Sequence, residues 1–183
     1  MANISRGLTR QEAEAAVAYY SRLRPRAWVK VVESDMAPKT ELVEGGLRVP
    51  REPQELEPIK ARIVEVPQFP ERSRLYDAHA AFFAYVPKGS IARGKAFVAM
   101  PGNAVACTEC HGKDLRGADH APDSTLSVPA LRGRSPTYIV RQLYDFHSGA
   151  RSGAGAQLMK PIAAQMTLQQ MTDVAAYFAS LAP

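Results

Sequence analysis

Residues 107–111 read Cys-Thr-Glu-Cys-His, and they hold the chain's 2 cysteines, with a histidine directly after the second. In a Cys-x-x-Cys-His run, two thiols can form thioether bonds to the vinyl groups of a haem while the adjacent imidazole reaches the iron. Cys107 and Cys110 would then fix one edge of the macrocycle, and His111 would present a nitrogen to one axial face. The result is one covalent haem c. Other uses of the pair fit less well. A zinc site would need further ligands, for which only His79, His120 and His147 remain. A thioredoxin-like pair would need a βαβ setting, whereas a Gly/Ala-rich loop precedes this motif and HGKDLRGADHAPDS follows it. The close spacing disfavours a structural disulfide.

An iron that only exchanges electrons has both axial positions filled, and a methionine opposite the histidine raises its potential. Downstream, Met159 lies in AQLMKPIAAQM, after the loop GARSGAGA and before a helix. Met166, beside the predicted N-cap Thr167, and Met171, inside the following helix, read better as core residues. Met159 is therefore the expected second ligand. Helices are predicted around this pair. Ser135-Pro136 opens PTYIVRQLYDFHSG, with Ile139, Leu143 and Phe146 on one face and Gly149 at its end. Thr167-x-x-Gln170 is a capping box that starts a final helix carrying Met171, Val174, Ala175, Phe178 and Leu181. Ser90 can cap a helix over IARGKAFVAM, whose Gly94 would admit another helix closely, with Tyr177 or Phe178 as the visitor. His79, His120 and His147 are expected to be ordinary loop or solvent-facing residues, with His147 the nearest to a competitor for the iron.

From Gly89 to Pro183 the chain resembles the class I c-type cytochromes, particularly the tandem two-haem cytochromes of bacterial respiratory chains. The motifs that carry the resemblance are GKAFVA, CTECHG, VPALRG, SPTYIVRQLYDFHSGAR and MKPIAAQM followed by VAAYFASL, in the family's order. The resemblance implies a mainly α fold and one-electron transfer through a haem held by His111 and Met159, with redox proteins such as a dehydrogenase, an oxidase or another cytochrome as partners. It also implies that the Pro129 carbonyl meets the other ring nitrogen of His111. Tyr138, Gln142 and Arg151 become haem-pocket or loop-stapling residues. Two other readings stay open. A catalytic or gas-sensing haem domain would keep an exchangeable distal position, and a docking subunit would use residues 26–87 to tether electron transfer to a dehydrogenase.

The N-terminus repeats the C-terminus. MANISRGLTRQEAEAAVAYYSRLRP aligns without gaps to MKPIAAQMTLQQMTDVAAYFASLAP, with identities at Met1/Met159, Ile4/Ile162, Thr9/Thr167, Gln11/Gln169, Ala18/Ala176, Tyr19/Tyr177, Leu23/Leu181 and Pro25/Pro183. Both copies carry a Thr-x-x-Glu/Gln cap and an aromatic pair at the same helix position. Residues 1–25 are thus expected to be a relic of the last helix of a first haem domain whose own attachment motif lies upstream. Residues 26–87 are expected to form a Pro-rich wrapping linker, with short strands at WVKVVE and ARIVEV and turns at its prolines. Residues 88–183 form the haem domain.

Composition narrows the function classes. The chain has 183 residues, 46% of them hydrophobic, and no apolar run approaches the roughly 20 residues of a membrane helix. MANISRGLTR shows neither the basic n-region nor the apolar h-region of an export signal. Covalent haem attachment in the cytochromes it resembles nevertheless takes place outside the cytoplasm, so a periplasmic site or the outer face of the membrane is expected. The net charge of +5 is scattered, with no basic stripe for nucleic acid. Residues 88–183 hold 10 basic and 6 acidic side chains, a mild excess that would steer an acidic partner.

Overall fold

The computed structural model describes residues 2–100, 107–119 and 127–183. It begins with two short helices, α1 (Ala2–Gly7) and α2 (Arg10–Tyr20). Thr9 caps α2: its hydroxyl accepts the Glu12 N–H at 3.3 Å, and the Glu12 carboxylate accepts the Thr9 N–H at 2.8 Å. This is the reciprocal box read from the sequence. None of α2 is buried, and Val17 and Tyr20 are each 68% exposed.

Residues 26–87 hold more structure than a wrapping linker. Seven strands are β1 (Val29–Glu33), β2 (Met36–Pro38), β3 (Thr40–Leu42), β4 (Arg48–Pro50), β5 (Leu56–Pro58), β6 (Val64–Pro67) and β7 (Phe82–Val86), with a short helix α3 (Pro70–Arg74) before the last. The main sheet has the order β1-β7-β6, with β1 parallel to β7 and β6 antiparallel to it. Two small antiparallel ladders, β2 with β5 and β3 with β4, complete the unit. The strands expected at WVKVVE and ARIVEV are β1 and β6. Pro38, Pro50, Pro58 and Pro67 each stand at the end of a strand, where a missing N–H disturbs least. The prolines bound strands here instead of excluding them. Ala37, Ile59, Val64 and Val66 form a separate apolar core, with Phe83 and Tyr85 packed against it. A core of its own is what separates a folded module from a linker.

The remaining helices are α4 (Ser90–Ala99), α5 (Cys107–His111), α6 (Pro136–Ser148), α7 (Ala156–Ala164) and α8 (Leu168–Ser180). The crossing of α4 and α8 organises them. A Cβ on Gly94 would lie 2.0 Å from the Asp173 carbonyl oxygen and 2.9 Å from the Tyr177 Cβ, so only glycine permits this approach. The visitor at Gly94 is therefore the backbone of α8 at Asp173, together with Tyr177. Beside it the Arg93 guanidinium donates two hydrogen bonds of 2.9 Å to the buried Asp173 carboxylate. Ser90 is not the cap of α4. Gly89, in the left-handed region at φ +77°, takes that position, and the fully buried Ser90 hydroxyl instead accepts from Arg93 at 3.2 Å.

The other boundaries match their sequence signals. The Ser135 hydroxyl accepts the Tyr138 N–H at 3.2 Å with Pro136 at the first helical position, and Gly149 ends α6 at φ +79°. Thr167 and Gln170 form the same reciprocal box at α8 that Thr9 and Glu12 form at α2. Unlike α2, α8 buries Met171 through Ala176 together with Phe178 and Ala179. The main core gathers Val98, Leu115, Ile139, Leu143, Met166, Met171, Val174, Ala175 and Phe178. The β module docks on this helical unit: β1 runs beside α8, Glu33 accepts the Ile91 N–H at 2.8 Å, and Lys88 pairs with Asp35. Among the described residues no helix is long and apolar enough to cross a membrane.

Candidate haem-binding site

The five residues of α5 place Cys107 and Cys110 one helical turn apart, with His111 next in line. Both thiols are free and partly buried, while the imidazole is only 7% exposed. Its Nδ1–H donates to the Pro129 carbonyl at 2.7 Å, the contact that the resemblance implies. That bond fixes the tautomer and leaves Nε2 as a free lone pair. Burial pulls the His111 pKa below its usual value, partly opposed by the Pro129 bond, so the ring is held neutral and ready to ligate. Burial pushes the Cys107 thiol up, and the neighbouring Cys110 adds to the effect. The loop after α5 is tied by Gly117 N–H to the His111 carbonyl at 2.8 Å and by an antiparallel bridge between Ala118 and Val128, which delivers Pro129 to the imidazole.

These groups border a mainly apolar cavity of about 310 Å³. Cys107, Cys110, His111, Pro129, Tyr138, Gln142, Arg151 and Met159 all line it. Helix α6 contributes Ile139, Leu143 and Phe146, and α8 contributes Val174 and Phe178. Met159 stands half-buried on α7, a helix anchored by the burial of Ala156 and Ala163 against Phe146. His147 adds a tie from α6, its Nδ1–H donating to the Ala163 carbonyl at 3.0 Å. Met166 also lines the cavity, although it is 6% exposed and packed in the main core; Met171 does not reach the cavity.

Gln142 and Arg151 are bonded to each other, with the guanidinium donating to the amide oxygen. Arg151 also lies 4.7 Å from the Phe146 ring centre, and its N–H donates to the Asp145 carbonyl at 2.9 Å. It therefore closes the loop after α6 onto the helix as well as lining the cavity. Tyr138 is 43% exposed at the rim. His79 is far from this arrangement in role, exposed and hydrogen-bonded to Asp77. His120 and Met1 lie outside the described residues. Among the described residues there is no group of three or more His, Cys, Asp or Glu side chains able to hold a metal ion. The sequence reading missed Arg134, Leu158 and Ile162 as cavity residues. Nothing in their spacing distinguishes them from surface or packing positions.

The cytochrome c family profile matches residues 91–182, half of the chain. The chain belongs to the cytochrome c family. A cytochrome c-552 of Acidithiobacillus ferridurans is 45% identical over 76 residues, which are 42% of this chain and 29% of that one. A thiosulfate dehydrogenase electron acceptor of Stutzerimonas stutzeri is 42% identical over 73 residues, 40% of this chain and 30% of that one. Among solved structures, a cytochrome c4 of Acidithiobacillus ferrooxidans is 39% identical, covering 50% of this chain and 49% of that one at a TM-score of 0.41. The matched residues thus span about half of that structure, and under a third of each of these two relatives. Membership in the cytochromes c implies a covalent haem c, and the residues present fit one. Two free thiols sit one turn apart, a buried imidazole has its outer nitrogen satisfied, and a thioether shares their apolar cavity.

Proposed function

We propose that this cytochrome c is a one-electron carrier whose haem is bonded to Cys107 and Cys110 and ligated by His111 and Met159. The observation that carries this reading is the meeting of those four side chains in one apolar cavity, with the His111 Nδ1–H already committed to Pro129. Bound haem supplies a one-electron iron couple. The protein's part is to hold that couple still and dry. Pro129 orients the imidazole and raises its basicity; Ile139, Leu143, Phe146, Val174 and Phe178 exclude water; Tyr138, Gln142 and Arg151 close the rim. With two axial side chains in place, small reorganisation on electron exchange is the expected consequence.

Residues 88–183 act as the haem domain, residues 26–87 as an attached module, and residues 1–25 as a relic of the last helix of a first cytochrome c domain, whose capping box and aromatic pair they repeat. The carrier works in the periplasm or at the outer face of the membrane, receiving or passing electrons to a dehydrogenase, an oxidase or another cytochrome. A relative named as the electron acceptor of thiosulfate dehydrogenase supports the dehydrogenase-linked option.

The test is the oxidised visible spectrum of the chain, expressed with an export signal in a host that attaches haem c, beside Met159→Ala and Met166→Ala. The sulfur-to-iron charge-transfer band is expected in the parent and in Met166→Ala and lost in Met159→Ala, with covalent haem kept in all three. A band that survives Met159→Ala and vanishes in Met166→Ala transfers the ligand role to Met166. A parent without the band has an open or differently ligated distal site and reads as a catalytic or sensing domain.

A further inference from the structure

The family match begins at residue 91, so the β module lies outside it. One strand of that module nevertheless touches the start of α6, a helix that lines the haem cavity. Along β6, Val64 and Val66 turn into the module's own core, as alternation requires. Ile63 and Glu65 therefore share the opposite face. Ile63 packs against the main core of the helical unit. The Glu65 carboxylate accepts the hydroxyls of both Ser135 and Thr137 at 2.7 Å. Pairing of Glu65 with Ala84 in the sheet fixes the backbone that carries it.

Those two hydroxyls belong to the start of α6, the helix that supplies Tyr138, Ile139, Gln142, Leu143 and Phe146 to the cavity. Ser135 is its cap. By donating its proton to Glu65, the Ser135 hydroxyl keeps a lone pair aimed at the Tyr138 N–H. The carboxylate also stands at the helix end where unpaired N–H groups leave partial positive charge. One side chain thus sets both the geometry and the electrostatics of the cavity wall from a distance of 70 residues in sequence.

We propose that Glu65 is a positioning residue of the haem site, and that through it the 26–87 module sets the redox potential of the domain. The inference rests on the haem reading above. A fixed negative charge near an iron that gains an electron disfavours the reduced state, so its removal raises the potential.

The experiment is redox titration of the full-length holoprotein as parent, Glu65→Gln, Glu65→Ala and Glu41→Gln, with covalent haem measured in each. Glu65→Gln keeps an acceptor oxygen for the hydroxyls and loses the charge, so its potential is expected to rise with the charge-transfer band retained. Glu65→Ala removes the strut as well, so the potential rises and the band is lost at a lower temperature than in the parent. Glu41→Gln, an exposed carboxylate of the β3–β4 hairpin, is expected to leave the potential where it was. An unchanged potential in Glu65→Gln overturns the proposal, as does an equal shift in Glu41→Gln. Should Glu65→Gln fail to accumulate, Thr137→Val breaks one contact and keeps the charge, so the potential is expected to stay at the parent's while the charge-transfer band is lost at a lower temperature; a band lost at the parent's temperature overturns the positioning role. A parent that takes up no covalent haem instead overturns the haem reading, and Glu65's role falls with it.

Discussion

Two helix pairs of this chain carry the same local code and meet opposite fates. The pair α1–α2 and the pair α7–α8 share the Thr-x-x-Glu/Gln box, the adjacent aromatics and the terminal proline. Yet α2 buries nothing, while α8 buries eight of its residues in the helical unit. A capping box satisfies N–H groups within one turn of itself, so it forms wherever the residues occur. Burial depends on what arrives from elsewhere. For α8 the arrival is α4, admitted by Gly94 and pinned by Arg93 to Asp173. The residue that aligns with Asp173 in the first copy is Ala15, which offers no such partner.

Removing an aromatic from each helix sharpens this contrast most. Phe178→Ala empties a site 3% exposed and is expected to cost about 3–5 kcal/mol, read as the urea midpoint of the holoprotein. Its counterpart Tyr20→Ala, at 68% exposure, is expected to stay within about 0.5 kcal/mol. If both substitutions cost several kcal/mol, α2 is packed in solution and the contrast breaks.

Gly94→Ala attacks the docking of α8 from the other side. With its Cβ forced to 2.0 Å from a backbone oxygen, the helices must separate, at about 1–3 kcal/mol or more despite the better helix propensity of alanine. Thermal denaturation followed at the haem band measures it, and an unchanged midpoint would mean that the crossing is looser than the geometry here.

Smaller effects come from the caps. Thr167→Ala is expected to lower global stability by about 1 kcal/mol, because α8 unfolds only with the domain. Thr9→Ala should reduce helicity over residues 10–20 and leave the global midpoint unchanged, as amide hydrogen exchange resolves. The last difference is one of pH. Glu12 is held below the usual carboxylate range, first by the Thr9 backbone bond and then by the Thr9 hydroxyl. A depressed folded value means that the cap is complete above about 4.5 and is lost as pH falls through the lower folded value. The neutral Gln170 has no such transition, so amide protection at α2, relative to the intrinsic exchange rate at each pH, should fall in acid while that at α8 does not.

Sequence alone located what rests on neighbours in the chain. The caps at Thr9, Ser135 and Thr167, the end of α6 at Gly149 and the glycine at the helix crossing were all legible. Each is decided by groups within a turn or two, or by a steric need that only one residue type meets. The eight candidate site residues were named by motif and resemblance, and the fold brings all eight to a single cavity. Ser90 misled because its local signal is that of a cap, while its hydroxyl is claimed by Arg93 of the same helix, the residue that reaches across the crossing to Asp173.

Only the tertiary structure decided the rest. The prolines looked like breaks in a linker, but Pro38, Pro50, Pro58 and Pro67 fall at strand ends around a core built from Ala37, Ile59, Val64 and Val66. Glu65 looked like one acid among many until the sheet placed it on the start of α6. Two helices with the same capping box and aromatic pair became one exposed helix and one buried one. The physical reason is common to all three: hydrogen bonds inside a turn are specified by adjacent residues, whereas burial and long-range polar contacts are specified by surfaces that exist only once the chain has folded.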